Sequence, residues 1–442
     1  MKGKISIQIM AMATLGWLMV SCSQSSNEIE PTPDEPMAIG MATNLKSLSY
    51  TRAVYDNNEE VGNTTNLKST GFAVHGWKNV AGTYTQVFNN TLVKGGTGST
   101  TGWEYSPLRY WDKAAKGYDF VAYAPQVDNN ADGTDDNVSA TAPNPSASPA
   151  TNAKLTFTNI PQWQDITTDD DKAAAKDYIV AQNKNTTANY LANSGIVHFD
   201  FYHLLARLNI KAYCEVNDEH SMAKYILTEI KISSKGQNSS SSEVEYKVPA
   251  STITDRSCDF ELKEVATGGT PADNLTFDAP TWGSGTGEKA TGEVTLFTHT
   301  DQVVDGVQPI IPSSVSTSPT PICSWLVAPF DITDKGFGYK TTASGDYFGP
   351  NLTLTVTYVI RTENSGGSFT FSSPYTSTVD LTYKDEDDDD KVKPLFTGFV
   401  SHGDYTLTLN IQKGGVAVLL DVGILPWIPA ETDADPRDVY NW

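Results

Sequence analysis

Apolar and polar residues alternate along much of the chain, and glycine, proline, asparagine and serine separate the alternating runs. A period of two predicts β-strands. Helical patterning is scarce, and the best short helix is predicted at Asp169–Asp177, which begins with acidic residues and includes an alanine run. We therefore expect an all-β protein made of two antiparallel sandwiches. In the second half the predicted strands are Val197–Ile210, Tyr225–Ser233, Glu243–Val248, Glu293–His299, Ile322–Ala328, Leu352–Arg361, Phe369–Phe371, Ser377–Tyr383, Gly403–Gln412 and Val416–Ile424.

The first alternating run covers residues 37–45 and predicts a half-buried strand with one large and one small face. The large face holds Met37, Ile39, Met41 and Leu45. A protease that cuts between Arg52 and Ala53 would separate this strand from everything that follows. The alternative is that Arg52 is one exposed loop arginine among many.

A second alternating run, near the C-terminus, predicts a strand that is apolar on one face. That face holds Val416, Val418, Leu420, Val422 and Ile424. Pro426 and Trp427 end the run. Such a strand can complete a sheet in its own chain or in a neighbouring one.

The N-terminus has the layout of a secretory signal peptide. Lys2 and Lys4 precede a mostly apolar run from Ile5 to Val20, which is too short for a membrane span. Ser21 followed by Cys22 is typical of a lipoprotein signal, in which the cysteine is acylated. The alternative is an ordinary signal peptide with a chance cysteine. Residues 23–36 are rich in serine, glutamate and proline, and predict a tether.

Composition and charge narrow the function classes. The chain has 442 residues and a formal net charge of −22, which argues against a nucleic-acid partner because phosphate binding needs clustered cations. No G-x-S-x-G, Walker or C-x-x-C motif occurs, and the six histidines lack a metal-ligand spacing. His203 lies in an apolar strand and is interpreted as a satisfied core histidine. We expect a structural or binding protein, not an enzyme, and no cofactor.

Three cysteines remain if Cys22 is acylated: Cys214, Cys258 and Cys323. An odd number argues against a disulfide framework. One bridge and buried free thiols both stay open as interpretations, and the free thiols are the simpler one.

Two acidic segments attract attention. The spacing of residues 128–136 is similar to a calcium loop and makes them a weak Ca²⁺ candidate, although position twelve lacks the usual glutamate. The candidate ligands are Asp128, Asn130, Asp132 and Asp136. A solvated acidic turn is the alternative. The dense acidic run at 384–391 predicts a solvated loop between two strands, since like charges repel.

Aromatic residues crowd the segments 103–112 and 118–125, which together predict a hairpin with aromatic cross-strand pairs. The sequence here resembles the fimbrillin family, the lipoprotein-derived subunits of type V pili. The resembling pieces are W-E-Y-S-P-L-R-Y-W-D at 103–112, Y-D-F-V-A-Y-A-P at 118–125, V-H-F-D-F-Y-H-L-L-A-R-L at 197–208, W-L-V-A-P at 325–329, and G-D-Y-T-L-T-L-N at 403–410 followed by Pro426-Trp427. They run in family order across most of the chain.

The resemblance implies two transthyretin-like sandwich domains, at residues 53–206 and 207–442. It also implies acylation at Cys22, transport to the outer membrane, and cleavage after Arg52 that frees the first strand. The C-terminal segment 416–442 of another subunit would then fill the vacated groove, and repetition would build a cell-surface fimbrium. Expected partners are other pilus subunits. Tip, stalk and anchor positions all stay open.

An alternative from another class is a monomeric surface lipoprotein, or a tip adhesin, that binds a glycan or a host protein. Aromatic side chains are the usual stacking surfaces for sugars. The candidates outside the family-like segments are Trp77, Trp163 and Trp282.

Overall fold

The computed structural model describes the main parts of both halves of the chain. These are residues 36–43, 55–56, 59–60, 64–97, 102–126, 137–186, 194–214, 222–237, 243–244, 248–262, 280–283, 291–299, 321–331, 351–385, 388–394, 398–401, 403–412 and 415–421. The chain divides into two compact units, residues 1–37 and residues 38–442. All the strands and helices below belong to the second unit.

Nearly all of the regular structure is β-strand, which confirms the all-β prediction. The helices are α1 (Thr64–Thr70) and α2 (Asp169–Ala174). The strands up to residue 249 are β1 (Gly40–Thr43), β2 (Tyr55–Asp56), β3 (Glu59–Glu60), β4 (Phe72–Val80), β5 (Thr83–Gly95), β6 (Trp103–Glu104), β7 (Gly117–Ala124), β8 (Val138–Thr141), β9 (Lys154–Ile160), β10 (Trp163–Asp165), β11 (Ile179–Thr186), β12 (Ile196–Phe199), β13 (Tyr202–His203), β14 (Ala206–Tyr213), β15 (Ala223–Gln237), β16 (Glu243–Val244) and β17 (Val248–Pro249). The later strands are β18 (Arg256–Glu261), β19 (Thr281–Gly283), β20 (Thr291–Gly292), β21 (Val294–Thr298), β22 (Cys323–Val327), β23 (Phe330–Asp331), β24 (Asn351–Glu363), β25 (Phe369–Phe371), β26 (Tyr375–Asp380), β27 (Thr382–Asp385), β28 (Asp388–Pro394), β29 (Gly398–Phe399), β30 (Asp404–Gln412) and β31 (Gly415–Asp421).

One hydrophobic core, the Tyr123 core, receives side chains from two sheets. The six-stranded sheet, in the order β13-β11-β7-β4-β5-β6, contributes Ala73, Val121 and Tyr123. The four-stranded sheet, in the order β19-β18-β9-β8, contributes Phe157 and Phe260. These residues alternate along their strands with residues of the opposite face, as the period-two pattern predicts.

A second core, the Leu208 core, lies in the later part of the chain. The five-stranded sheet β10-β22-β14-β30-β31 contributes Leu208 and Leu407. The sheet built on β15 and β24 contributes Leu227, Leu354 and Val356. The predicted strands at 225–233 and 352–361 are therefore confirmed, and both are longer than predicted because β15 and β24 pair along most of their length.

Strands from before and after residue 206 share sheets. In the four-stranded sheet β9 pairs with β18, and in the five-stranded sheet β10 pairs with β22. Phe260, on β18, packs in the Tyr123 core and lies opposite Leu155 of β9. A domain boundary at residue 206 and a transthyretin-like architecture stay predictions.

The predicted aromatic hairpin is wrong. β7 pairs with β4 on one edge and with β11 on the other, while β6 pairs with β5. Both edges of β7 are thus occupied by strands that are more distant in sequence, and Pro107 has no N–H to offer a ladder. The aromatic residues still meet, since the ring centroids of Trp111 and Tyr118 lie 4.6 Å apart.

The acidic run is also not simply a loop. β27 continues to Asp385 and β28 begins at Asp388, and their pairing runs from Thr382–Pro394 to Asp385–Asp388. Main-chain hydrogen bonds form the ladder whatever the charge of the side chains. The strands therefore extend into the acidic segment.

The predicted helix at Asp169–Asp177 is confirmed as α2, which ends earlier, at Ala174. Thr168 caps it, because its hydroxyl accepts a hydrogen bond from Asp171 N while the Asp171 carboxylate accepts one from Thr168 N. The short α1 was not predicted. In the part of the chain that the structure describes, no helix is long and apolar enough to cross a membrane.

Candidate functional site

The first strand, β1, lies between two backbone partners. It runs parallel to β12, with Gly40 opposite Ile196 at one end and Thr43 opposite Phe199 at the other. On its other edge Ile39 N donates to Arg109 O at 2.9 Å. We call the space between β12 and the segment 105–111 the slot, and these two segments its walls.

The side chains of the first strand follow the predicted two faces. Ile39 and Met41 are each 1% exposed, whereas Ala38 is exposed and Gly40 is half-buried. The prediction of a large, buried face is confirmed for these two residues. Met37 lies before the second unit, and Leu45 lies outside the described residues.

Aromatic rings form the base of the slot. Phe199 of β12 packs on Phe72 of β4 with ring centroids 5.7 Å apart, and Phe72 packs on Trp103 at 5.1 Å. Because Met41 is opposite buried Val197 and Thr43 opposite Phe199, the large face of β1 turns toward this layer. We call the layer the aromatic floor; it consists of Phe72, Phe88, Trp103, Tyr118, Phe120 and Phe199, and Trp111 of one wall packs on it.

The aromatic floor lies on the opposite face of the six-stranded sheet from the Tyr123 core. Phe120 alternates on β7 with Val121 and Tyr123, which belong to that core. Gly76 on β4 lets the rings approach, since a Cβ there would lie 2.8 Å from Phe120 Cδ1. One sheet therefore has a closed core on one side and the slot on the other.

Two side chains of segment 105–111 form hydrogen bonds at the slot. The Tyr105 hydroxyl donates to Ile39 O at 2.7 Å, so it holds the strand directly. Trp111 Nε1 donates to Gly195 O at 3.0 Å, and this carbonyl also accepts from Gly40 N at 2.8 Å. The Trp111 bond joins one wall to the other without passing through β1. Burial raises the pKa of Tyr105, so the hydroxyl stays a neutral donor.

Sequence patterns did not single out the walls. Tyr105 and Arg109 were assigned to the incorrect hairpin, and Ile196 precedes the strand predicted to begin at Val197. Their common role comes from the pairing of β1 with β12, which are separated by more than 150 residues along the chain. The fimbrillin-like segments 103–112 and 197–208 were the one sequence signal near both walls.

The C-terminal strand, β31, has a different setting. It pairs antiparallel with β30, from Gly415 opposite Gln412 to Asp421 opposite Thr406, and it is the edge strand of the five-stranded sheet. Of the predicted donor residues, Val416, Val418 and Leu420 lie on β31. Val422 and Ile424 lie outside the described residues.

Several predicted sites lie outside the described residues. They are Cys22, Arg52 and Ala53, and the calcium candidates Asp128, Asn130, Asp132 and Asp136. Within the described ranges no three His, Cys, Asp or Glu side chains come together in a way that could hold a metal ion.

The three described cysteines are buried free thiols, which confirms the simpler interpretation. Burial raises the pKa of Cys323 to about 12 and raises that of Cys258 further. A thiol of such high pKa is a poor nucleophile at neutral pH. These residues therefore act as small apolar core groups.

His203 is a satisfied core histidine, as predicted. It is 6% exposed, and its Nδ1 lies 2.5 Å from Asp177 Oδ2. The predicted tryptophan surface is wrong, because Trp77 and Trp163 are buried in the two cores and Trp282 packs against the Tyr123 core. A tryptophan buried between two sheets contributes a large apolar area to the stability of the fold.

Among the described aromatic side chains, the exposed ones are Tyr110, in segment 105–111, and two residues of the sheet built on β15 and β24. Phe369 on β25 is 47% exposed and Tyr375 on β26 is 49% exposed. Tyr375 stacks on Tyr358 with ring centroids 5.5 Å apart, and the Arg361 guanidinium lies 4.4 Å from the centre of the Phe369 ring. No sequence pattern distinguished these two residues from the buried aromatics.

Comparison with known proteins gives a consistent family. The sequence profile of a family described as fimbrillin-like matches residues 51–427. The fimbrium subunit Fim1C of Phocaeicola vulgatus is 29% identical over 220 residues, which are 47% of this chain and 52% of that protein. The match thus spans about half the length of this curated relative.

Among solved structures, a fimbrial protein from Bacteroides vulgatus ATCC 8482 aligns with a TM-score of 0.39 at 16% identity. The alignment covers 87% of this chain and 99% of that one. Since the family profile covers most of the chain, the protein belongs to the fimbrillin-like family.

Proposed function

We propose that this protein is a structural subunit of a cell-surface pilus, assembled by removal of its first strand and by donor-strand exchange. The observation that carries the proposal is the setting of β1. Ile39 and Met41 are almost fully buried, β1 pairs with β12 while the preceding Ile39 bonds to Arg109, and the strand precedes Arg52. A single cut there would break the covalent link between the strand and the rest of the fold.

Loss of β1 costs free energy in two ways. Burial of Ile39 and Met41 contributes roughly 1.5–3 kcal/mol each, and that contribution is lost when the slot empties. The slot also presents unpaired main-chain groups of β12 and of segment 105–111. A strand from another subunit restores both terms, and the candidates for it are Val416, Val418, Leu420, Val422 and Ile424.

The cellular route follows from the same proposal. The chain is secreted, acylated at Cys22 and carried to the outer membrane, and it becomes part of a fimbrium after cleavage. Its partners are copies of itself or related pilus subunits. Through the fimbrium it contributes to adhesion.

Cleavage of residues 23–442 by an arginine-specific protease tests the proposal. We expect a new N-terminus at Ala53 and a series of polymers by size-exclusion chromatography with light scattering. Arg52→Ala should stay uncut there and monomeric, while the matched control Lys46→Ala should behave as the parent. A parent chain that is cut at Arg52 and stays monomeric would contradict self-polymerisation, and polymer formation by Arg52→Ala would contradict the role of the cut.

A monomeric surface lipoprotein or tip adhesin is the second candidate, and the exposed Tyr375 favours it. An aromatic ring that is half-exposed and held flat by stacking on Tyr358 can pack against a sugar face. Tyr375→Ala should then abolish saturable glycan binding by the uncut monomer, whereas Tyr110→Ala should not. Absence of binding to a broad glycan panel would eliminate the glycan form of this candidate.

A further inference from the structure

The slot restricts the size of one residue of the strand that fills it. A Cβ at Gly40 would lie 3.1 Å from Ile196 Cγ1 and 3.6 Å from Gly195 O. Ile39 and Met41, on either side, are almost fully buried. The slot therefore fits a large apolar residue, then glycine, then a second large apolar residue, and a side chain at the middle position would require Ile196 to shift.

The slot places few other demands on the sequence. In a parallel pair only alternate residues of one strand bond to a given neighbour. Gly40 N donates to Gly195 O, immediately before β12, whereas Ile39 N donates to Arg109 O in the other wall. By this alternation the N–H of the residue at position 43 points away from β12. A proline at that position removes no bond to β12.

We propose that the slot of one subunit takes Val422-Gly423-Ile424 of a second copy of this chain, with Gly423 in the place of Gly40. This inference rests on the proposed function and adds the register of the exchanged strand. Between residues 415 and 442, Gly423 is the one glycine with a large apolar residue on each side. Pro426 then falls at position 43, where it removes no bond to β12.

The pairing of β31 supports this register. Residues 415–421 already pair with β30 of their own sheet, so a donor strand that begins at Val422 leaves that sheet intact. The rival register places Val416-Ala417-Val418 in the slot. It brings the Ala417 methyl to the 3.1 Å contact with Ile196 and requires β31 to leave β30.

Matched valine substitutions in residues 23–442 test the register. After cleavage by the arginine-specific protease, Gly423→Val should lower the rate of polymer formation by about tenfold or more, because a branched side chain would overlap Ile196. Ala417→Val, which introduces the same side chain at the rival position, should polymerise within about threefold of the parent. Ile196→Ala should restore polymerisation to Gly423→Val, since it removes the overlapping atoms. Light scattering over time measures each rate.

Each outcome has a separate meaning. A parent chain that does not polymerise overturns the proposed function and this inference with it. If the parent polymerises, the inference alone is overturned by three results: normal polymerisation of Gly423→Val, loss of polymers in Ala417→Val but not in Gly423→Val, or failure of Ile196→Ala to rescue. Loss in Gly423→Val with rescue by Ile196→Ala supports the register, because a folding defect at residue 423 would not be relieved by a change at residue 196.

Discussion

The first and last described strands differ in what their removal leaves behind. β1 is four residues long and β31 is seven, so β31 has the longer ladder. Yet β31 is paired on one edge only, and its loss would leave a single strand, β30, without its ladder partner. Loss of β1 would open a slot with two hydrogen-bonding walls and an aromatic floor. The number of segments that a strand contacts, more than the length of its ladder, determines the free-energy cost of removing it.

The largest expected effect concerns a wall that must survive the loss of β1. Phe199→Ala should lower the free energy of unfolding by about 3–5 kcal/mol, since the ring is fully buried against Phe72. Phe369→Ala, at an exposed ring, should cost about 1 kcal/mol or less. Urea unfolding measures both. Equal effects in the two variants would show that β12 is no more firmly packed than an exposed strand.

The next effect distinguishes the contribution of the strand to stability from the contribution of its walls. Ile39→Ala should destabilise the uncut protein by about 2–5 kcal/mol, because it empties a buried position. Once β1 has been cut off and removed, the variant and the parent are the same molecule and should unfold alike. Ala38→Ser, at an exposed position, is the control and should change little. A small loss in uncut Ile39→Ala would mean that the slot is loosely filled.

A third effect, the pH dependence of stability due to His75, should be independent of the slot. Burial lowers the pKa of His75 from 6.5 to about 4, and its ring lies beside Trp77 and Tyr123 of the Tyr123 core. The unfolded chain takes up the proton first, so this contribution is complete above about pH 6.5 and is lost as pH falls toward 4. The loss amounts to roughly 2–3 kcal/mol.

The matched variant for this effect is His75→Gln, which removes the titrating group. The difference between parent and variant in unfolding free energy, followed from pH 7.5 to 4, isolates the histidine from the carboxylates that titrate in both. The same difference is expected before and after removal of β1, because His75 lies on the other face of the sheet. A difference that changes on removal would connect the two faces.

The smallest effect concerns a single hydrogen bond. Tyr105→Phe removes the hydroxyl that donates to Ile39 O and should weaken retention of the cut strand by about 1 kcal/mol, or roughly fivefold in dissociation rate. Tyr110→Phe, at a half-exposed ring, is the matched control and should release the strand at the parent rate. Release can be followed by mass spectrometry of the freed segment. Equal dissociation rates in the parent and both variants would show that the Tyr105 hydroxyl does not help to retain the strand.

The sequence predicted which side chains of β1 are buried, but it did not predict which remote segments pair with β1. Alternation of large and small residues identified the buried face of β1, because the burial of Ile39 and Met41 follows the period-two pattern of their own segment. It could not identify Ile196 or Arg109 as neighbours, since pairing between remote strands leaves no local period. Neighbouring aromatic segments favoured a hairpin, but β4 and β11 occupy both edges of β7.

The same limit applies to exposure. Trp77 and Trp163 lie outside the family-like segments, and composition alone could not show that both fill cores while Tyr375 stays half-exposed. Exposure depends on which sheet covers which face. Cleavage at Arg52 stays a prediction, and so does the use of the C-terminal segment as a donor.

The sharing of sheets across residue 206 has a mechanical consequence. β9 and β10 come from the earlier half of the chain, but they are hydrogen-bonded to β18 and β22 of the later half. A pull that begins to unravel one half must therefore break strand pairs that also hold the other. Tension along a fibre of such subunits would meet one joint resistance in each subunit, in place of two weaker elements that yield in turn.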